Sequence, residues 1–297
     1  GQWGVYSADA TGTQIICAGK IVNGDGTNAC VFSDTNKQII STLADAGSIT
    51  APIIRNRAAS KLYLGTLEDA TAKTTSSGCS VIFFQSTPWT FVPFQLDNGS
   101  YNRFLSCTFS SLNVRARLTA VTPSEFLCYN SIWMNNFETD SVSGTNNDFY
   151  NLQIQKWTFA AWNYVIGTCT NLILTSGGEY GIEHKNPVGT TILKGLKISG
   201  ATVSSIYMDF VYAGDYQLYL VNADLDAWSF TWFAGTTAKC FRQYELDLTV
   251  LNSAGVAVGT ATVVLKDLAA ATVVNTTTDA AGVIATQTVT RGYYAQA

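Results

Sequence analysis

Asn151-Leu152-Gln153-Ile154, Asn171-Leu172-Ile173-Leu174, Gly195-Leu196-Lys197-Ile198 and Gln217-Leu218-Tyr219-Leu220 are four short apolar runs in comparable settings. Between their leucines at 152, 172, 196 and 218 the steps are 20, 24 and 22 residues. Turn-forming residues lie between the runs: Gly177-Gly178, Asn186-Pro187, Gly200 and Gly214-Asp215. One strand-length apolar run in each period of this size is the sequence form of a β-solenoid. A single coil cannot cover its own apolar side chains, whereas coils stacked about 4.8 Å apart bury a continuous column of them. The stretch 151–226 therefore predicts a right-handed parallel β-helix.

The same period extends backwards. Leu62-Tyr63-Leu64, Val81-Ile82-Phe83-Phe84, Cys107-Thr108-Phe109 and Ile132-Trp133-Met134 continue it, with steps of 20, 25 and 25 from Leu62 to Ile82, Cys107 and Ile132. Counted this way there are about eight coils, a column about 35–40 Å long at the strand spacing. Residues 1–50 do not repeat cleanly. Short strands (Gln14-Ile15-Ile16-Cys17, Ala29-Cys30-Val31-Phe32, Gln38-Ile39-Ile40) alternate there with turns, and this segment is expected to cap the open end of the coil. Residues 51–241 form the solenoid in this reading. The proline- and aromatic-rich stretch from Pro88 to Phe94 is expected as a lateral loop on its side.

Composition agrees with β structure. The chain has 297 residues, 47% of them hydrophobic and only 13% charged, against about 25% charged in an ordinary soluble domain. Its outer surface must then be rich in Ser, Thr, Asn, Gln and Gly. Fifteen Phe, 14 Tyr and 7 Trp favour strands further. A formal charge of −4 with scattered Lys and Arg argues against a nucleic-acid partner. No apolar run approaches the length of a membrane span. The chain opens Gly-Gln-Trp without an initiator Met, as a processed product would. Seven cysteines stand beside apolar strand residues with no C-x-x-C, which reads as core thiols of a chain folded under reducing conditions. Two or three disulfides in a secreted chain are the alternative.

Trp228, Phe230 and Trp232 alternate with small residues and place three aromatics on one strand face. Such a stripe closes the end of a solenoid, holds a following domain, or stacks on sugar rings. Residues 242–297 change character: Tyr244 to Val250 alternates, Asn252-Ser253-Ala254-Gly255 turns, and strand-like runs follow around Val263 and from Val283 to Val289. The order V-x-N-S-A-G-V-x-V, A-T-V-V-L-K-D, T-T-D-A-A-G resembles the carboxypeptidase regulatory-like module, and the resemblance implies a small Ig-like β-sandwich while saying nothing about activity. The approach from Trp232 to Tyr244, the closing Arg291-Gly292-Tyr293-Tyr294 and the early Phe32 to Ile39 stretch are similar to proteins encoded in environmental phage genomes. That resemblance implies a virion surface or tail component without catalytic residues. About 55 residues are short for a sandwich that ordinarily takes about 80–100, so this is either a minimal version or one with a sheet edge left for a neighbouring subunit to complete.

Chemistry is thinly provided. His184 is the single histidine, and dispersed cysteines do not offer a zinc site beside it. Glu138 with Asp140, Glu179 with Glu183, and Asp224 with Asp226 are the acid pairs that a glycan-active β-helix enzyme would draw on. Asn23-Gly24-Asp25-Gly26-Thr27-Asn28 lacks the closing Glu and the spacing of an EF-hand. The sequence thus points to a non-enzymatic structural or adhesive subunit of a virion or similar extracellular assembly, needing no cofactor and no metal. Its partners would be neighbouring subunits or host-surface glycan. Contact candidates are Trp228, Phe230 and Trp232, then Trp89, Phe91, Tyr293 and Tyr294. A polysaccharide lyase or glycosidase, and a secreted glycan-binding adhesin, are the alternatives.

Overall fold

The computed structural model describes residues 4–7, 13–17, 21–23, 29–32, 38–41, 54–83, 94–111, 116–120, 124–134, 137–140, 147–155, 160–163, 167–175, 179–185, 190–209 and 216–296. These residues are all-β, with no helix among them. Three long sheets run along the molecule. Sheet A stacks Gly4–Ser7, Thr13–Cys17, Gln38–Ser41, Ser80–Phe83, Thr108–Ser111, Ile132–Trp133, Gln153–Gln155, Ile173–Thr175, Lys197–Ser199 and Asp224–Leu225. Sheet B runs from Ile21–Asn23 to Phe230–Trp232, and sheet C from Ala29–Phe32 to Lys239–Leu246, with Gln287–Ala295 added at its end. The chain visits A, B and C in turn and then returns to A one rung further on. This is a β-solenoid, as the repeat predicts for a parallel β-helix.

The register corrects the ends of the sequence repeat. Val81 pairs with Phe109, Phe109 with Trp133, Trp133 with Ile154, Ile154 with Leu174, Leu174 with Ile198 and Ile198 with Leu225, all parallel within sheet A. Leu218 and Leu220 instead sit in sheet C, two-thirds of the way round a coil, as do Leu62 and Leu64. They resemble the sheet A runs because a strand on any side of the coil must alternate inward apolar with outward polar residues.

From Leu105 onward the corner from sheet C to sheet A takes two residues in each coil. The first of the two is Ser106, Asn130, Asn151, Asn171, Gly195 and Asn222 in successive coils, with φ between +51° and +65°. Asn is the side chain that best tolerates this left-handed conformation, and Gly pays no steric cost there. Each corner amide donates to the carbonyl of the next rung: Asn130 to Tyr150, Asn151 to Thr170, Asn171 to Lys194 and Gly195 to Val221, at 2.7–2.9 Å. The side chains form a second ladder. Asn151 Nδ2 donates to Asn130 Oδ1 at 3.0 Å, and Asn171 Nδ2 to Asn151 Oδ1 at 3.3 Å. Gly195 ends this run, having no side chain to continue the ladder, and Asn171 Oδ1 takes the space a Cβ would fill.

Inward side chains make columns along the axis. On sheet A, Phe109 stacks on Trp133 at 4.0 Å between ring centres. On sheet C the column Leu64, Phe104, Cys128, Phe149, Cys169, Leu193 and Leu220 is buried throughout. Here a phenylalanine and a thiol alternate, so small side chains leave room for rings one rung away. Burying each such ring contributes about 1.5–3 kcal/mol. The described cysteines, 79, 107, 128, 169 and 240, are all buried, in keeping with the core reading; the side chains of Cys17 and Cys30 lie outside the described residues.

One corner carries an insertion. After Gly65 the chain makes the hairpin Thr66–Asp69 and Thr74–Ser76 before re-entering sheet A. Lys73 from this hairpin pairs with Asp148 at 2.6 Å and lies over the rings of Tyr129 and Tyr150. Tyr129 also donates to Asp148 at 2.8 Å. Burial, and then the Asp148 carboxylate, push the Tyr129 phenol well above its ordinary value.

At the two ends the parallel order stops. Gly4–Ser7 lies antiparallel on Thr13–Cys17, while the three strands from Thr13 to Phe32 already enter sheets A, B and C. At the other end Gln287–Ala295 lies antiparallel on Lys239–Leu246, with a register shift between Arg242 and Gln243. Between them, Thr262–Lys266 and Thr272–Thr277 form a separate antiparallel pair. Bridges join Thr249 to Val283 and Leu251 to Ala257.

Candidate functional site

The aromatic stripe of the sequence falls at the C-terminal end of the coil. Phe230 pairs in register with Ile206, and Trp232 with Met208, both fully buried. Phe230 and Trp232 therefore continue inward columns of sheet B past its last covered rung. Tyr294 stands opposite buried Cys240 and brings a fourth ring onto this end. Its ring centre is 4.6 Å from Phe230 and 5.9 Å from Trp228, stacked on both. Phe230 and Trp232 stack at 5.8 Å. All four are partly buried against the core.

Arg242 completes this lid. It follows Leu220 in the inward column of sheet C. Its guanidinium carbon lies 3.9 Å from the centre of the Trp228 ring and 5.4 Å from that of Tyr244. A cation over an aromatic face is attracted by the ring quadrupole, so a charge can occupy a partly dry position. A hydrophobic column needs an ending, and this one ends in flat rings and a stacked guanidinium. Of the sequence candidates, the structure thus brings Trp228, Phe230, Trp232 and Tyr294 together. The alternation in Trp228 to Trp232 was legible, but the two partners supplied from elsewhere in the chain, Arg242 and Tyr294, were not visible as partners.

Tyr293 points the other way. It stands opposite Phe241, which stacks on Tyr219 at 4.8 Å, and Lys239 lies over it. This outer column climbs sheet C and ends on Tyr293, which is 60% exposed. Trp89 and Phe91 lie outside the described residues.

Two of the three acid pairs have both side chains among the described residues. Asp224 and Asp226 are both exposed, and Asp226 Oδ2 accepts the Gly200 amide at 2.7 Å, which gives it a turn-holding role. Glu179 is exposed while Glu183 is buried. The side chains of Glu138, Asp140 and His184 lie outside the described residues, as does the Gly24 to Asn28 loop. Among the described residues no three His, Cys, Asp or Glu side chains gather to hold a metal ion. No helix among them is long and apolar enough to cross a membrane.

The segment after the lid has a motif of its own. Asn252, Asp267 and Asp279 each open a five-residue loop in the same way. Each side-chain Oδ1 accepts the amides two and four residues on, at 2.8–3.0 Å. The fourth residue of each loop, Gly255, Ala270 or Gly282, is left-handed. The sequence shows two of these loops as N-S-A-G-V and D-A-A-G-V; the third, D-L-A-A-A, is hidden because Ala stands in the glycine position. Around these loops apolar side chains are left uncovered. Of the ten large apolar residues exposed among the described residues, seven lie between Leu251 and Tyr293, with Leu251, Val256, Val264 and Leu268 among them.

Compared with family models, curated proteins and solved structures, the chain matches none.

Proposed function

We propose that the protein is a non-enzymatic structural or adhesive subunit of a virion or similar extracellular assembly. The observation that carries this reading is the contrast between the two ends of the work the chain does. The solenoid is closed by its own aromatic lid, while the segment beyond it leaves seven large apolar side chains in solvent. Seven large exposed apolar side chains within the stretch from Leu251 to Tyr293, against three in the rest of the described residues, support an interaction surface in this segment. In this reading the coil winds right-handed, the usual hand of parallel crossovers. Residues 242–297 form a minimal Ig-like sandwich of the carboxypeptidase regulatory-like kind, supported by the two antiparallel pairs and the three matching loops. Neighbouring subunits or virion proteins are its partners. The sparsely charged surface makes the contacts apolar and hydroxyl-mediated rather than ionic.

Immunogold electron microscopy of the native particle or extracellular fraction tests this. Label at regular positions on a particle surface is the expected result. Label confined to free protein that also cleaves a polysaccharide, with cleavage lost in Asp224→Asn, would overturn it in favour of the enzyme.

A further inference from the structure

We infer that the strand Thr262–Lys266 pairs antiparallel with the same strand of a second copy, about a twofold axis through Val264, and that this contact joins subunits. The inference rests on the assembly reading above and names its contact. Thr262–Lys266 belongs to a two-stranded sheet, and no other described strand pairs with it. Two strands alone are marginal in water and need a third strand or a covered face. Natural edges are blunted by proline, by charge at the centre or by a bulge. Here the edge reads Thr-Val-Val-Leu-Lys, and no proline occurs from residue 242 to 297. The register shift of the pair falls at its far end, between Leu265 and Lys266. The centre of the edge is open.

Charge selects the occupant. From Asp247 to Ala297 the charged residues are Lys266 and Arg291 against Asp247, Asp267 and Asp279. A surface so nearly neutral offers nothing to attract a strongly charged partner, and it does not repel itself. Twofold pairing of one strand with its own copy is self-complementary by construction. In the register that uses all five residues, Val264 faces Val264 of the second copy. Val263 then faces Leu265, and Thr262 faces Lys266. No like charges are opposed, and directly opposite β-branched pairs stabilise a sheet. Val264 is 48% exposed in the single chain, so this contact covers a side chain that is otherwise wet.

Sedimentation of the full chain at micromolar concentration tests the pairing. The wild type is expected as a dimer or a higher even assembly. Val264→Lys and Val264→Asp are each expected to halve the mass, because like charges then meet on the axis, while the thermal midpoint of the solenoid is unchanged. Thr262→Lys, set against Lys266, is expected to weaken the dimer at least tenfold. Mixing Val264→Lys with Val264→Asp is expected to restore the dimer, which happens only if position 264 meets itself. A monomeric wild type, a dimer indifferent to Val264→Lys, or a mixture that stays monomeric overturns the inference. An assembly that forms without this edge leaves the wider functional reading standing, because the gold label reports on that separately.

Discussion

Asn151 donates from Nδ2 to Oδ1 of Asn130 in the preceding coil at 3.0 Å, and both residues hold φ near +53°. The same side chain thus satisfies the backbone conformation of its corner and ties two corners together. Asn151→Ala loses both, at a cost of about 1–2 kcal/mol for the left-handed backbone and about 1 kcal/mol for the ladder bonds. Asn151→Gly keeps the backbone and loses only the bonds. Urea unfolding should therefore rank Asn above Gly above Ala, with Ala about 0.5–1 kcal/mol below Gly once glycine's entropy cost is set against the strain. Equal losses for Ala and Gly would show that the corner φ carries no energy.

Ala270 predicts the opposite sign. It occupies the left-handed position that Gly255 and Gly282 occupy in the matching loops, with φ of +64°. Ala270→Gly should stabilise the chain by about 0.5–1 kcal/mol, relief of strain slightly exceeding the entropy lost by glycine. Gly255→Ala should destabilise it. The thermal midpoints of the two variants, measured beside the wild type, check both signs.

The lid is a structural feature before it is a binding surface. Phe230 lies over the buried Ile206 and against Tyr294, so Phe230→Ala should cost about 3 kcal/mol. Tyr293→Ala, on the outer column, should cost well under 1 kcal/mol, as exposed positions do. Denaturation midpoints that fall equally in both variants would contradict the division between lid and outer face.

The buried thiols set the alkaline limit. Burial pushes Cys128 from an ordinary 9.0 up to about 12, and it raises Cys169 and Cys240 as well. Below pH 9 the thiol is protonated in both folded and unfolded chains, so its contribution is fully present and constant. Between pH 9 and about 12 the unfolded thiol ionises and the folded one does not, which favours unfolding. Each such group then removes up to about 1.4 kcal/mol of stability per pH unit. These thiols leave the thermal midpoint unchanged between about pH 7 and 9 and make it fall above pH 9, less steeply in Cys128→Ala. A midpoint that rises above pH 9 would contradict burial of these thiols.

Much of the coil was legible because its corners repeat. Asn151-Leu152 and Asn171-Leu172 show the left-handed corner and the first inward residue of sheet A side by side. Gly195-Leu196 repeats the pair with the other residue type that tolerates positive φ. The end coils were misaligned for a physical reason. Leu62-Tyr63-Leu64 and Gln217-Leu218-Tyr219-Leu220 have the same alternation as the sheet A runs, since all three sides of a coil bury alternate residues. The hairpin from Thr66 to Ser76 also changes the spacing where one coil crosses into the next. Pairing across the chain left no local trace: nothing in Arg242 or Tyr294 alone says that they close over Trp228 and Phe230.

Distances along sheet A test the stacked coil most directly. Thr108, Ile132, Gln153, Ile173, Lys197 and Asp224 form one outward column, each in register with the next. Nitroxide pairs at Thr108 and Asp224, Thr108 and Lys197, and Thr108 and Ile173 are five, four and three rungs apart. Pulsed electron resonance should find backbone separations near 24, 19 and 14 Å, falling by about 4.8 Å for each rung removed. Separations that follow residue number instead of rung, or that do not change in equal steps, would contradict the parallel stack.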